Sequence, residues 1–400
     1  MRGDIKKIDN AMIQRVVIFG GHIQALGLAR QVAAKGKEVV LLVEDKYQIA
    51  RYSRAVSRTI ICGIEDWKAQ IEELELSNKG TLLFPTNDEA VEWLCAHYDE
   101  YKDRFALGVP KPEVIELFNN KRTAYRYATA HKVPCPECWY PDSLAEVEAL
   151  SSSLPYPVVV KPAIMYSFHA TFGKKAFRCD NAEVLKNVYQ RIADADYPLE
   201  SILIQEFLSG GPKHLYSFGV MAEDGKPLVS IQANRIRQNP MDFGNSTTFA
   251  VTCDIPAIEA QSVSLLTETK YFGLGEVEWM WDEKAQQYMF LEINTRAWKW
   301  HTLSNMLGFS FIGAMIDWFD GIEENIRHTS NIIHAKQVGW VERLTDWTVV
   351  AKEILHGRMK LRDVMRSYKI PHESAVWSWS DPLPGIMYIL LSPILYVKRH

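Results

Sequence analysis

Between Gly275 and Arg296, two arms of alternating apolar and polar residues flank a polar tip, a pattern that specifies an antiparallel β-hairpin. The first arm puts Glu276, Glu278 and Met280 on one face and Val277, Trp279 and Trp281 on the other. On the returning arm Phe290, Glu292 and Asn294 share a face, opposite Met289, Leu291 and Ile293. With the apolar faces in one register and the turn centred near Ala285, Glu278 stands opposite Glu292. Directly opposed residues lie about 5 Å apart at Cβ, where two carboxylates repel unless something positive lies between them. Oxygens from Glu278, Glu292 and Asn294 suit Mg²⁺, or Mn²⁺ in its place, because such a cation keeps waters and takes further ligands from nucleotide phosphates. A solvent-facing acidic hairpin is the alternative, and the bulky apolar flanks weigh against it.

Lys161 follows Val158-Val-Val160 and precedes Pro162. It leaves a buried strand end, and a lysine so placed needs an anion. Residues 163–175 then offer Ser167, His169, Thr171, Gly173, Lys174 and Lys175, a loop able to close over phosphates. A solvated basic loop is the alternative for Lys174 or Lys175 taken singly. The spacing GxxxxGK[ST] is absent, so this is not a P-loop site.

Upstream, residues 15–19 form a β-branched run ending in Gly20-Gly21-His22, and apolar residues at helical spacing follow over 23–34. Residues 38–43 and 81–85 read as further buried strands, with Asp88 near the start of a helix over 89–96. Residues 1–118 are therefore expected to be a parallel α/β layer. The glycine turn invites a dinucleotide site, but its spacing is not GxGxxG and only Glu44 or Asp45 could take the ribose role. A turn that merely packs helix on strand is an equal reading. A helix starting near Asn120-Lys121 and a proline-rich connector over 133–141 lead into strands and hairpins, an α+β pattern of antiparallel sheets. After about residue 326 a short, Trp-rich helical extension is expected.

Lys plus Arg total 45 and Asp plus Glu 49, and no basic arm appears, which argues against a nucleic-acid partner. The six cysteines are scattered rather than spaced as a disulfide framework, and Cys135-Pro-Glu-Cys138 has no second pair to make a zinc site. Residues 1–14 hold no apolar stretch of the ~7 to 15 residues that a secretory signal requires, so a cytoplasmic protein is expected. Residues 385–397 are greasy but far short of the ~20 needed to span a bilayer. Packing onto the body is favoured there over weak membrane contact assisted by Lys398-Arg399-His400.

Taken together, Asn120-Lys121 opening a helix, Val160-Lys161-Pro162, Gln205-Glu-Phe-Leu208, Val277-Glu278-Trp279 and Leu291-Glu-Ile-Asn-Thr-Arg296 resemble the ATP-grasp superfamily over roughly residues 10–325. Phe172-Gly-Lys-Lys-Ala176 and Arg235-Ile-Arg-Gln-Asn-Pro240 are most similar to the carboxylate-amine ligase branch that includes D-aspartate ligases. The resemblance implies a pre-ATP-grasp α/β domain (1–118), a small subdomain with the phosphate loop (119–205), a large subdomain with the metal hairpin (206–325) and an extension (326–400). It implies that Lys121 and Lys161 hold ATP phosphates, aided by Lys174 and Lys175, and that the backbone of Gln205, Glu206, Phe207 and Leu208 receives adenine. Glu206 or His214 would bind ribose, and Glu278, Glu292 and Asn294 the metal. Arg235 and Arg296 would stabilise the transferred phosphoryl group and the carbonyl attacked later, with a plain salt bridge as the alternative for each. Lys299, His22 and Asp88 are candidates for contacting substrate.

Two departures stand out. The phosphate loop lacks a glycine-rich run, and Thr295 stands where proline is usual. The expected activity is formation of a carbon–nitrogen bond between small-molecule carboxylate and amine substrates, through an acyl phosphate, by a chain that could assemble with its own copies. An NAD(P)-dependent oxidoreductase using the glycine turn and a non-catalytic nucleotide-binding module are the rival readings.

Overall fold

The computed structural model describes residues 12–73, 80–164, 168, 171–241, 244, 246–322 and 337–399. Its first layer is a parallel sheet of β1 (Arg15–Phe19), β2 (Glu38–Val43), β3 (Arg58–Ile61), β4 (Thr81–Pro85) and β5 (Ala106–Leu107), in the order β3-β2-β1-β4-β5. The apolar runs of β1, β2 and β4 are buried nearly throughout, as strands covered on both faces must be. At the end of β1 the chain turns through Gly20 at φ +103°, and a Cβ there would come within 2.4 Å of Thr86 Oγ1. Only glycine meets both demands. The carboxyl ends of β1 and β4 thus carry His22 and Asp88 to one edge of the sheet, where open α/β layers place their ligands.

A second sheet is antiparallel, in the order β6-β9-β7-β8, from β6 (Cys138–Trp139), β7 (Val158–Pro162), β8 (Phe177–Cys179) and β9 (Ile202–Glu206). The proline-rich connector contributes only β6, an edge strand, where missing ladder donors are tolerated.

The third sheet has seven strands: β10 (Leu215–Glu223), β11 (Lys226–Asn239), β12 (Ser246–Thr252), β13 (Gly273–Asp282), β14 (Gln287–Asn294), β15 (Gly339–Val341) and β16 (His372–Ser374). Their order is β14-β13-β10-β11-β12-β15-β16. The extension carries the expected helices, Arg343–Leu355, Leu361–Ser367 and Leu383–Arg399, and in addition β15 and β16, which lengthen this sheet beyond β12. The last of these helices turns Tyr388 and Leu391 inward and contacts the short turn Ile49–Tyr52 of the first layer.

Of the 12 tryptophans, Trp67, Trp279, Trp298, Trp300, Trp318 and Trp340 are buried in the core. The helix Ile23–Ala34 meets the segment after β14 so closely that a Cβ on Gly27 would lie 2.5 Å from Thr302 and 2.8 Å from His301. Parallel layer and large sheet therefore share one core. Among the described residues no helix is long and apolar enough to cross a membrane.

Candidate active site

Asn120 caps the helix Lys121–Ala130 by accepting from the Arg122 amide at 2.9 Å, and the Lys121 amide donates to Ala163 O at 3.0 Å. The helix start is thereby tied to the end of β7, the strand that carries Lys161. Lys121 and Tyr125 are four residues apart, so they share a helix face, and both reach β14. Lys121 Nζ lies 2.7 Å from Glu292 Oε2. The buried Tyr125 hydroxyl donates to Leu291 O at 2.7 Å and accepts from Lys161 Nζ at 2.9 Å. Sequence reasoning did not single out Tyr125. Its spacing from Lys121 was the available signal.

The hairpin pairs Glu276 with Asn294 and Glu278 with Glu292, then slips by one residue so that Trp279 faces Phe290. Leu291 is the extra residue of this β-bulge. The bulge brings the two carboxylates opposite each other, and its carbonyl is the one that Tyr125 holds.

Arg235, buried on β11, places Nη1 2.5 Å from Glu278 Oε2 and Nη2 3.3 Å from Gln238 Oε1. Asn294 Nδ2 donates to Glu276 Oε2 at 3.2 Å and to Glu278 Oε1 at 3.0 Å, and Trp300 Nε1 donates to Glu276 Oε1 at 2.9 Å. The expectation that facing carboxylates need a metal between them is thus modified: Lys121 and Arg235 already supply positive charge. Asn294 presents its amide nitrogen, so service as an oxygen ligand requires the amide to turn over.

Titration follows this wiring. Lys121 holds the Glu292 carboxyl down at about 2, whereas burial and the neighbouring Glu278 push Glu276 up to about 7. Burial lowers Lys161 to about 8, and the nearby Lys121 charge adds to the effect. Lys175 is lowered too, by burial first, in a field that includes Glu292, Lys121 and Glu278.

The other candidates divide into two groups. Arg296 Nε reaches Asp88 Oδ1 at 2.5 Å, which joins the end of β14 to the parallel layer while two-thirds of the Asp88 side chain stays open to solvent. Lys299 instead turns to Ser246 Oγ (2.8 Å) and Glu342 Oε2 (3.5 Å). His22 is exposed at the N-cap of its helix. Lys174 is exposed, 5.5 Å from the Phe177 ring centre, and Ser167 and His169 lie outside the described residues.

Gln205 and Glu206 end β9, with the Glu206 amide donating to Glu137 O at 2.9 Å. Gln205 Oε1 is buried with no hydrogen-bond partner among the described residues. Phe207 lies under Arg178 at 4.5 Å, and Leu208 is buried. His214 sits near the hairpin tip, with Nδ1 3.4 Å from Trp281 O and Nε2 3.6 Å from Glu283 Oε1. All six cysteines are free, and burial pushes the Cys138 thiol up to about 12, which makes it a poor nucleophile. The glycine turn is backed by protein, since a Cβ on Gly21 would meet Gln48 at 2.6 Å and Val43 at 2.8 Å.

Among the described residues no group of three or more His, Cys, Asp or Glu side chains could by itself hold a metal. Two carboxylates and one amide oxygen nevertheless fit a hard cation that retains several waters and binds phosphate.

Residues 120–317 match the family model "Carbamoyl-phosphate synthase L chain, ATP binding domain". The alpha subunit of mitochondrial methylcrotonoyl-CoA carboxylase from Glycine max is 20% identical over 276 residues, which cover 67% of this chain and 36% of that protein. This chain therefore spans about a third of the length of the curated relative it matches. Among solved structures, the biotin carboxylase domain of Hydrogenobacter thermophilus 2-oxoglutarate carboxylase, in complex with MgADP, ADP and bicarbonate, superposes with a TM-score of 0.63 at 17% identity, covering 82% of this chain and 74% of that one. N5-carboxyaminoimidazole synthetase from Staphylococcus aureus gives a TM-score of 0.61 at 13% identity, with 87% of each chain covered. The chain shares its fold with these proteins, and its sequence match to the ATP-binding domain runs over residues 120–317, from the helix that carries Lys121 to beyond the β13–β14 hairpin.

Proposed function

We propose that the protein is a Mg²⁺-ATP-dependent ligase that activates a substrate carboxylate as an acyl phosphate and joins it to an amine, releasing ADP and phosphate. The observation that carries this reading is the convergence of Lys121, Lys161 and Arg235 on the facing pair Glu278 and Glu292. Phosphoryl transfer is catalysed mostly by positioning and charge, and few other reactions call for so many fixed charges in one cleft. The division into a pre-ATP-grasp layer (1–118), two ATP-grasp subdomains (119–205 and 206–325) and an extension (326–400) is part of the proposal.

Glu278, Glu292 and a turned Asn294 would hold Mg²⁺, which when bound shields the charge of the phosphates. Lys121 and Lys161 exchange their present partners for phosphate oxygens, with Lys175 close by. The backbone from Gln205 to Leu208 receives adenine, and Glu206 or His214 meets ribose. A carboxylate oxygen of the substrate attacks the γ-phosphorus, the bond to the β–γ bridging oxygen breaks, and ADP departs with that electron pair. The amine nitrogen then attacks the acyl carbon, phosphate leaves, and the nitrogen loses a proton. Arg235 and Arg296 stabilise the charge that develops in these steps, and Asp88 orients Arg296.

A second reading has support from the relatives, one of which was solved with bicarbonate: the activated acid could be bicarbonate, making the protein a carboxylase. Nucleotide products separate the cases. Formation of ADP and phosphate that depends on both an organic acid and an amine supports the ligase, and ADP formation driven by bicarbonate alone supports the carboxylase. Stoichiometric AMP and pyrophosphate would overturn both.

A further inference from the structure

The helix Leu383–Arg399 turns toward solvent a face that surface helices ordinarily make polar. Its inner side is Pro384, Gly385, Tyr388 and Leu391. On its outer side Leu383, Ile386, Ile389, Leu390 and Ile394 are 41–64% exposed, and the intervals between them are those of one helix face. Trp379, just upstream, is 88% exposed and packs edge-on against Trp377 at 5.3 Å. The helix cannot roll to hide this stripe, because Asp381 at its start is bound by Arg30 (2.9 Å), Ser53 (2.6 Å) and the Arg54 amide (3.1 Å).

Charge identifies the occupant. Residues 382–400 contain no Asp or Glu, and the sequence closes the helix with Lys398 and Arg399, followed by His400. An apolar stripe with an exposed tryptophan at one end, in a segment that carries basic residues toward its other end and no acid, matches the interface of an anionic bilayer. The same helix of a second copy packed against it would bring the same basic residues, and residues 382–400 hold no acid to meet them. At about 1.5 Å per residue the helix is roughly 25 Å long, which suits lying in the headgroup plane.

We infer that the outer face of Leu383–Arg399, with Trp379, docks the protein on an anionic lipid surface. The test is flotation of the full chain with phosphatidylcholine vesicles, alone or with about 30% phosphatidylserine, at low and high salt. Binding is expected on the anionic vesicles, weak on the neutral ones, and reduced by salt. Ile389→Glu with Leu390→Glu should cut binding at least roughly tenfold while leaving the melting temperature unchanged, since both side chains face solvent. Lys398→Gln with Arg399→Gln should remove the preference for phosphatidylserine and leave the weak apolar binding. Failure of the unaltered protein to float with anionic vesicles overturns the inference. So does a dimer in sedimentation velocity that the two glutamates dissociate without any effect on vesicle binding.

Discussion

Lys161 donates to the Tyr125 hydroxyl, and burial, with the nearby Lys121 charge, brings its ammonium down to about 8. Phosphates arriving beside it favour the charged form. Nucleotide binding between pH 8 and 9 should then take up a substantial fraction of a proton, and near pH 6.5 this site should contribute almost none. Calorimetric titration of MgADP in buffers of different ionisation enthalpy measures that uptake, and Lys161→Met should abolish it. Tyr125→Phe keeps the ring that meets Phe290 but leaves Leu291 O and Lys161 without their shared partner. An unmet buried carbonyl costs about 1–3 kcal/mol, and a loss in turnover of roughly tenfold or more is expected. The sharper readout is the alkaline limb of the pH profile. It should move to lower pH, because the ammonium loses an acceptor that stabilised its charge. An unmoved limb would mean that Tyr125 serves packing alone.

At the scale of elements, the β13–β14 hairpin decides the chemistry. ATP should raise the melting temperature markedly only with Mg²⁺ or Mn²⁺, by the equivalent of about 2.7 kcal/mol at a hundredfold excess over Kd, and EDTA should remove the effect. Glu292→Gln should abolish metal-dependent stabilisation and nearly all turnover. It should also destabilise the fold by about 1–2 kcal/mol, since a partly buried Lys121 loses its anion. The sign for Glu292 is that of a lowered carboxyl: its stabilisation is present above the ordinary range near 4.5 and is lost as pH falls toward about 2. Melts of parent and variant should therefore converge in acid.

Much of this hairpin was legible because alternation fixes which side chains share a face. A single register through a turn near Ala285 does put Glu278 opposite Glu292, but the strands reach that pairing by a slip at Leu291, which alternation cannot reveal. The runs over 15–19, 38–43 and 81–85 declare themselves by uninterrupted apolar residues. β15 and β16 do not, since three-residue strands that pair across about thirty positions leave no local signal. The ion pairs of Glu278 and Glu292 were hidden for the same reason. Arg235 and Lys121 are distant in sequence from the carboxylates they meet.

For the whole molecule, the joint between the parallel layer and the large sheet is the place where pH should tell. His301 is fully buried beside Gly27, with Nε2 3.2 Å from Gln24 O, and Nδ1 has no partner among the described residues. Burial lowers it to about 4, so the folded protein keeps the ring neutral. Below its ordinary value near 6.5 the unfolded chain takes a proton that the fold refuses. Stability should fall as pH drops from about 6.5 to about 4, with this one group accounting for about 3 kcal/mol at the lower limit. Denaturant melts of the parent and of His301→Gln across that range isolate the contribution. The glutamine variant should be less stable near neutrality, because its amide cannot reproduce the fit of the ring against Gly27 and Trp298. The gap should narrow steadily toward pH 4, since only the parent carries this proton linkage. A gap that stays constant with pH would show that His301 is protonated inside the joint, with Nδ1 served by a group that the packing does not reveal.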